Sequence, residues 1–197
     1  MKFVLATRNS HKAIELKRIL EELELDCELL TVSDFPGAPE VEETEDTFEG
    51  NALLKARALA NFTGLAAIAD DSGICVDALD GNPGVLSARW SGATENIDRA
   101  NLELVLEQIK GVPPEHRGAK FVCAAVAVFP QGKELVAVGE MFGNLLDAPT
   151  GENGFGYDPI FVPTGFTKTT AEMSASEKDS ISHRGLALKD LALKIKG

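Results

Sequence analysis

Two adjacent carboxylates, Asp70 and Asp71, follow the apolar run Ala66-Ala67-Ile68-Ala69 and precede Ser72-Gly73. Carboxylates at the end of a buried strand are costly unless their charge is neutralised. A hard divalent cation such as Mg²⁺, held by one or two carboxylates and the phosphates of a substrate, neutralises it. Neighbouring strand residues point to opposite faces, so one aspartate of the pair serves a given pocket. Ser72 and Gly73 would let the backbone turn closely past a ligand. The plain alternative is a strand-ending turn capped by Asp. The acidic run Glu40 to Asp46 contains Glu42 and Glu43; it supplies another metal ligand or is a solvated charge run.

A second group is Thr7-Arg8-Asn9-Ser10-His11-Lys12. A strand that runs through a polar turn into a helix presents free N–H groups and a positive dipole end, which suit a phosphate. Lys12 adds a charge on the first helical turn. The alternative is a helix capped by Asn9 or Ser10 with a solvated Lys12. The glycines and the GK[ST] ending of a P-loop are absent. Further along, Gly151-Glu152-Asn153-Gly154-Phe155-Gly156-Tyr157-Asp158 places three glycines around an aromatic ring. That pattern allows close backbone approach to a flat ligand, with Phe155 available to stack on a base. It opens no helix, so a dinucleotide-binding turn does not fit. Lys178 and Ser182-His183-Arg184-Gly185 could bind an anion or a carbonyl oxygen; by itself His183 reads first as a structural histidine.

The elements that carry these groups are legible in outline. Phe3 to Ala6 is a strand, and a helix follows from about residue 11 to residue 24, with Leu16, Ile19, Leu20 and Leu23 at helical spacing. Leu29 to Val32 is a strand, and 33–46 a loop with Pro36, Gly37 and Pro39. Asp46-Thr47-Phe48-Glu49 reads as a helix start with Asp46 as cap; the helix runs to Phe62, burying Phe48, Ala52, Ala56 and Leu59, and Gly64 ends it. Ala66 to Ala69 is a short strand ending at the aspartates. A Gly/Pro loop surrounds Gly81 to Gly84, and Asn96 to Ile109 is helical. Phe121 to Phe129 and Leu135 to Met141 are strands around a Gln131-Gly132 turn, and Pro159 to Val162 is another. Ser174-Ala175-Ser176-Glu177 is a capping box, the helix it opens is interrupted at His183-Arg184-Gly185, and a C-terminal apolar helix follows. The order is mixed α/β, with no repeat and no linker that separates independent domains.

Composition sets the class. The 197 residues are 44% hydrophobic and 25% charged, ordinary for a globular protein and too apolar for disorder. A net charge of -12 argues against nucleic acid or an anionic membrane as partner, while leaving room for a small anion in a local basic pocket. Cys27, Cys75 and Cys123 form no CxxC pair and read as small buried hydrophobes. The N-terminal apolar run is too short for a signal peptide, and no stretch approaches the roughly 20 apolar residues of a membrane span. The expected compartment is the cytoplasm.

Six segments together resemble the inosine triphosphate pyrophosphatase family, the XTP/dITP diphosphatases. They are Thr7 to Lys12, Thr47-Phe48-Glu49-Gly50-Asn51-Ala52-Leu53-Leu54-Lys55-Ala56, Ala69 to Gly73, Ser87-Ala88-Arg89-Trp90-Ser91-Gly92, Gly154 to Pro159 and Ser182 to Gly185. The resemblance covers nearly the whole chain. It implies one domain over 1–197, an α/β fold of two lobes around a long curved mixed sheet with the active site in the cleft, and a homodimer. It implies a Mg²⁺-dependent hydrolysis of ITP, dITP or XTP to the monophosphate and pyrophosphate. Carried over by residue, Asp71 is the catalytic base or a metal carboxylate, and Glu43 a second metal-site carboxylate. Thr7, Arg8, Asn9, Ser10, His11 and Lys12 hold the triphosphate, and Ser72 touches substrate. Phe155, Gly156, Tyr157, Asp158, Lys178, His183 and Arg184 form the base and phosphate pocket. Two positions depart from the family: Arg8 stands where a glycine is frequent, and Gly50 where an acidic residue is common, which removes position 50 as a metal ligand.

Overall fold

The computed structural model describes residues 1–22 and 27–197, without the side chains of Ser10 and His11. The expected end of the first helix, Leu23 included, lies outside the described residues. The sheet has six strands in the order β2-β1-β3-β4-β5-β6. They are β1 (Lys2–Leu5), β2 (Glu28–Thr31), β3 (Ala66–Val76), β4 (Gly118–Val128), β5 (Glu134–Leu145) and β6 (Phe161–Pro163). β1 runs parallel to β2 and β3, and β5 pairs antiparallel with β6, so the sheet is mixed as expected. The main helices are α1 (Ser10–Glu22), α2 (Phe48–Thr63), α3 (Ile97–Gln108), α4 (Ala175–Ile181) and α5 (His183–Lys196). None of the described helices is long and apolar enough to cross a membrane.

The chain divides into two compact units, the first comprising Met1–Asp71, Cys123–Gly139 and Arg184–Gly197, the second Ser72–Val122 and Glu140–His183. In the first unit, period-two alternation sorts the strands' side chains onto two layers. Phe3, Leu5, Ala66, Ile68, Cys123, Ala125 and Ala127 share a core with Leu16, Ile19 and Leu20 of α1 and Ala187, Leu188 and Leu191 of α5. Val4, Ala67, Ala69, Val126 and Val128 share the other with Ala52, Ala56, Leu59 and Ala60 of α2. Alanine on both the α2 face and the strands beneath it lets helix and sheet approach closely.

The second unit packs α3 through Leu102 and Val105 against Ile74, Val76, Phe121, Tyr157, Ile160 and Phe161. The Ser87 to Gly92 segment belongs to this framework. Ser87 Oγ accepts from Ile74 N at 2.9 Å and donates to Gly84 O at 2.6 Å. Tyr157 Oη and Asn101 Nδ2 donate to Ser87 O at 2.9 and 3.2 Å. A Cβ on Gly73 would collide with Gly84 O and with Ser87 Oγ, so this close approach needs glycine.

Several boundaries differ from expectation. The cap of α2 is Thr47, whose side chain accepts from Gly50 N at 3.0 Å, in place of Asp46. Phe48 is only half-buried, while Asn51 is buried. β4 and β5 are longer than their apolar runs, because edge residues of mixed polarity still pair. Asp158–Ile160 forms a 3-10 turn before β6. Most consequentially, β3 does not stop at Ala69; it runs through Asp70, Asp71, Ser72 and Gly73 to Val76. The aspartates are therefore strand residues, and the turn-and-cap alternative is excluded. His183 and Arg184 open α5 after a single extended residue, Ser182, and do not sit in a longer break.

Candidate active site

Asp70 and Asp71 continue the alternation of β3. Asp70 follows Ala66 and Ile68 onto the layer of α1 and α5, and Asp71 follows Ala67 and Ala69 onto the layer of α2. Both are buried, 2% and 4% exposed. Their surroundings treat them oppositely.

Asp70 Oδ2 lies 3.2 Å from Arg184 Nε and 3.4 Å from Lys12 Nζ. Burial alone would raise its pKa, but the Lys12 and Arg184 charges outweigh burial and hold the carboxyl far below the usual carboxylate range. Lys12 reaches it from the first turn of α1. Asn9 caps that helix, its Oδ1 accepting from Lys12 N at 3.1 Å, and Thr7 Oγ1 accepts from Asn9 N at 3.3 Å. Asn9 thus caps as its alternative supposed, but Lys12 is ion-paired instead of solvated. Arg8 donates to Ala38 O at 2.8 Å, tying the turn to the following loop. Its backbone is not left-handed, so the position does not demand glycine.

Asp71 accepts from Asn51 Nδ2 at 3.1 Å and lies 3.8 Å from Lys55 Nζ. Asn51 and Lys55 are one turn apart on α2 and so share a face. Lys55 also donates to Glu43 Oε1 at 2.7 Å. The acidic loop that carries Glu43 is held by Asn51 Oδ1, which accepts from Glu45 N at 3.0 Å. A Cβ at Gly50 would meet Glu45 Cβ at 2.7 Å, so this arrangement of the loop has no room for a side chain at that position. Burial raises the Asp71 pKa, and Glu43 adds to it, against the opposing charge of Lys55. Burial disfavours the Lys55 ammonium, but the carboxylates of Asp71, Asp70 and Glu43 outweigh it and keep the group charged. Glu43 and Asp71 thus converge on one cation, and their oxygens are the hard donors a divalent metal prefers. Among the described residues no three His, Cys, Asp or Glu side chains cluster for a metal. Two carboxylates suit a hard divalent ion that takes the rest of its ligands from substrate or water.

In the second unit, Asp158 organises the glycine-rich loop. Its Oδ2 accepts from Phe155 N at 2.9 Å and from Lys178 Nζ at 2.5 Å, and its Oδ1 from Thr170 Oγ1 at 2.8 Å. Gly154 has φ +75, and a Cβ there would collide with Asp158 Oδ2. Lys178 Nζ lies 5.2 Å from the half-buried Phe155 ring. Gly156 N donates to Asp98 at 3.1 Å. His183 is buried and stacks on Phe121 at 4.9 Å between centroids.

The expected site residues therefore fall into three kinds. Lys12, Glu43 and Asp71 present charge in one unit, and Phe155 with Lys178 an aromatic ring and a cation in the other. Tyr157 and Asp158 direct their polar groups into the protein, Tyr157 donating to Ser87 O and Asp158 accepting from Phe155 N, Lys178 and Thr170. Arg184, expected beside His183 as a ligand group, is enclosed at 1% exposure between Asp70 and Glu15. Ser72 is partly buried, and the side chains of Ser10 and His11 lie outside the described residues. Lys55, Asn51 and Glu15 have roles here that no sequence motif assigns to them. The signals that could reveal them are the one-turn spacing of Asn51 and Lys55 and the three-residue spacing of Glu15 from Lys12.

Known proteins match this chain specifically. The family model described as the Ham1 family matches residues 3–194. A dITP/XTP pyrophosphatase of Frankia alni is 55% identical over 98% of this chain and 96% of its own length. A crystal structure of a nucleoside-triphosphatase, dITP/XTP pyrophosphatase, from Mycobacterium abscessus is 51% identical, covers 97% of this chain and 98% of its own, and superposes with a TM-score of 0.79. The Ham1 protein of Staphylococcus aureus is 38% identical, with coverage of 100% and 99% and a TM-score of 0.88.

Proposed function

Since the chain belongs to the Ham1 family, we propose that it is a Mg²⁺-dependent nucleoside triphosphate pyrophosphatase. It hydrolyses ITP, dITP and XTP to the monophosphate and pyrophosphate, as a cytoplasmic homodimer that clears these nucleotides from the pool. The observation that carries the reading is Asp71: a buried carboxylate, oriented by Asn51, converging with Glu43 on a single cation. Mg²⁺, when bound by Asp71 and Glu43, supplies charge neutralisation on the leaving pyrophosphate. Asp71 orients a water and takes its proton as the water oxygen bonds to the α-phosphorus and the bond to the β-phosphate bridging oxygen breaks. Lys12 and the N–H groups at the start of α1 hold phosphate oxygens. Phe155 stacks on the base, with Asp158 fixing the loop that carries it, and Lys178 and His183 complete the pocket.

The test is a panel of triphosphates with Mg²⁺ and identification of the product. Pyrophosphate is expected; inorganic phosphate alone would overturn the reaction. ITP and XTP carry an acceptor oxygen at C6 where ATP carries a donor. A donor in the pocket then makes ATP worse by on the order of 10² to 10⁴ in kcat/KM, at roughly 1–3 kcal/mol for each unpaired group. Comparable values for ATP and ITP would remove the C6 argument.

Lys12→Ala is expected to raise KM for ITP by roughly tenfold or more, the scale of removing one charged hydrogen bond from a partly closed site. Steady-state kinetics on the purified variant check this; unchanged KM would return Lys12 to a structural partner of Asp70.

A further inference from the structure

Lys12 and Glu15 are three residues apart on α1 and so project from one side of the helix. Each reaches one member of the buried Asp70–Arg184 pair. Arg184 Nη1 donates to Glu15, and Arg184 Nε donates to Asp70 Oδ2, the oxygen that also faces Lys12 at 3.4 Å. The result is a line of alternating charge, Glu15, Arg184, Asp70, Lys12. Asp70 Oδ1, though buried, accepts no hydrogen bond from the described residues. A carboxylate that served only Arg184 would take the guanidinium fork with both oxygens. Here one oxygen serves Arg184 and Lys12 together, and a second carboxylate compensates the guanidinium from its other side. Buried ion networks contribute little net stability compared with apolar packing, so stability is a weak reason for four charges in this place.

We propose that Glu15 is a positioning residue for the triphosphate site. By compensating Arg184, it keeps Asp70 from closing onto the guanidinium with both oxygens. Asp70 is thereby left to hold the Lys12 ammonium at the start of α1. Glu15 acts on the substrate only through Lys12 and touches no phosphate itself. Without its charge, Arg184 turns more strongly on Asp70, the carboxylate that also faces Lys12. The guanidinium, fixed in the core, takes both oxygens of Asp70, and Lys12 on its flexible stem is released. The inference rests on the reading of Lys12 as a phosphate ligand.

A double-mutant cycle tests it. Wild type, Glu15→Gln, Lys12→Ala and the double variant are assayed with ITP for kcat and KM, and their unfolding is followed thermally. Glu15→Gln is expected to raise KM by roughly tenfold, the effect of one missing charged hydrogen bond, with a smaller change in kcat. In the Lys12→Ala background the same substitution should add nothing further to KM. Effects that multiply across the cycle would show that Glu15 does not work through Lys12, as would a lowered melting temperature with unchanged kinetics; either overturns the proposal. If Lys12→Ala itself leaves KM unchanged, the phosphate reading falls and the proposal with it, an outcome distinct from a normal Lys12 effect without coupling. Should Glu15→Gln not fold, Glu15→Asp, which keeps the charge one methylene short, enters the same cycle and is judged by the same coupling.

Discussion

Asp71→Asn is expected to lower kcat by roughly 10²-fold or more, the usual scale for removing a general base or a metal-site charge. The amide preserves shape and still accepts from Asn51 Nδ2, but it cannot take a proton from water or contribute charge with Glu43. The fold should survive. Burial raises the Asp71 pKa in the folded protein, so above its ordinary value near 3.8 the ionised carboxylate weighs against folding, and stability falls as pH rises through the interval up to the raised value. Removing that charge leaves Lys55 paired with Glu43. The melting temperature at neutral pH should therefore equal or exceed that of wild type. A folded variant with near-normal turnover would remove Asp71 from the mechanism; a loss of activity matched by unfolding would recast it as structural.

Arg184→Ala has the opposite signature, a large loss of stability. The guanidinium is fully enclosed, and its removal leaves Glu15 and Asp70 as buried carboxylates, with Lys12 still 3.4 Å from Asp70 but nothing in place of the guanidinium beside Glu15. Breaking a buried pair from one side costs about 3–5 kcal/mol. For a chain of this length that is a fall in Tm on the order of 10 °C. The pH dependence carries a sign. Asp70 has its pKa lowered in the folded state, so its stabilisation is present above the ordinary value near 3.8 and is lost as the pH falls through the folded value. The gap between wild type and variant should be full at neutral pH and narrow on acidification, as the wild type loses the contribution of ionised Asp70. A residue whose main work is to touch substrate would instead move KM and leave Tm in place. Thermal unfolding across pH, read beside KM, separates the two.

Asp71 and Arg184 differ in how far their roles are legible in the sequence. Period-two logic on β3 is enough to say that Asp70 and Asp71 face different ways, and the structure agrees. It is not enough to say which faces what. That depends on α1, α2 and α5, residues remote in sequence, and charges meet there that no local pattern records: Arg184 is 114 positions from Asp70 and 169 from Glu15. The strand's end is hidden for a related reason. Asp, Ser and Gly are poor strand formers, so the run Asp70-Asp71-Ser72-Gly73 reads as a turn unless its tertiary partners are known; Arg184, Lys12, Asn51 and Ser87 override that propensity. The Thr7 to Lys12 turn and the capping box of α4 depend on neighbours within a few residues and are visible. Tyr157 and Asp158 are visible as a motif, but the inward aim of their polar groups is not, because a motif carries residue types without directions.

Because the aspartates stand back to back within an unbroken strand, inserting or deleting a single residue between Ala66 and Ala69 would exchange the two, carrying Asp71 toward Arg184 and Asp70 toward Lys55 while the strand residues between the change and the aspartates also switched faces. Such an indel barely alters composition and leaves every downstream motif intact, yet hands each acid the other's partners. Length variation in this lineage should therefore be confined to loops and avoid the first four residues of β3, and the strand's length is as much a functional trait as the acids it carries.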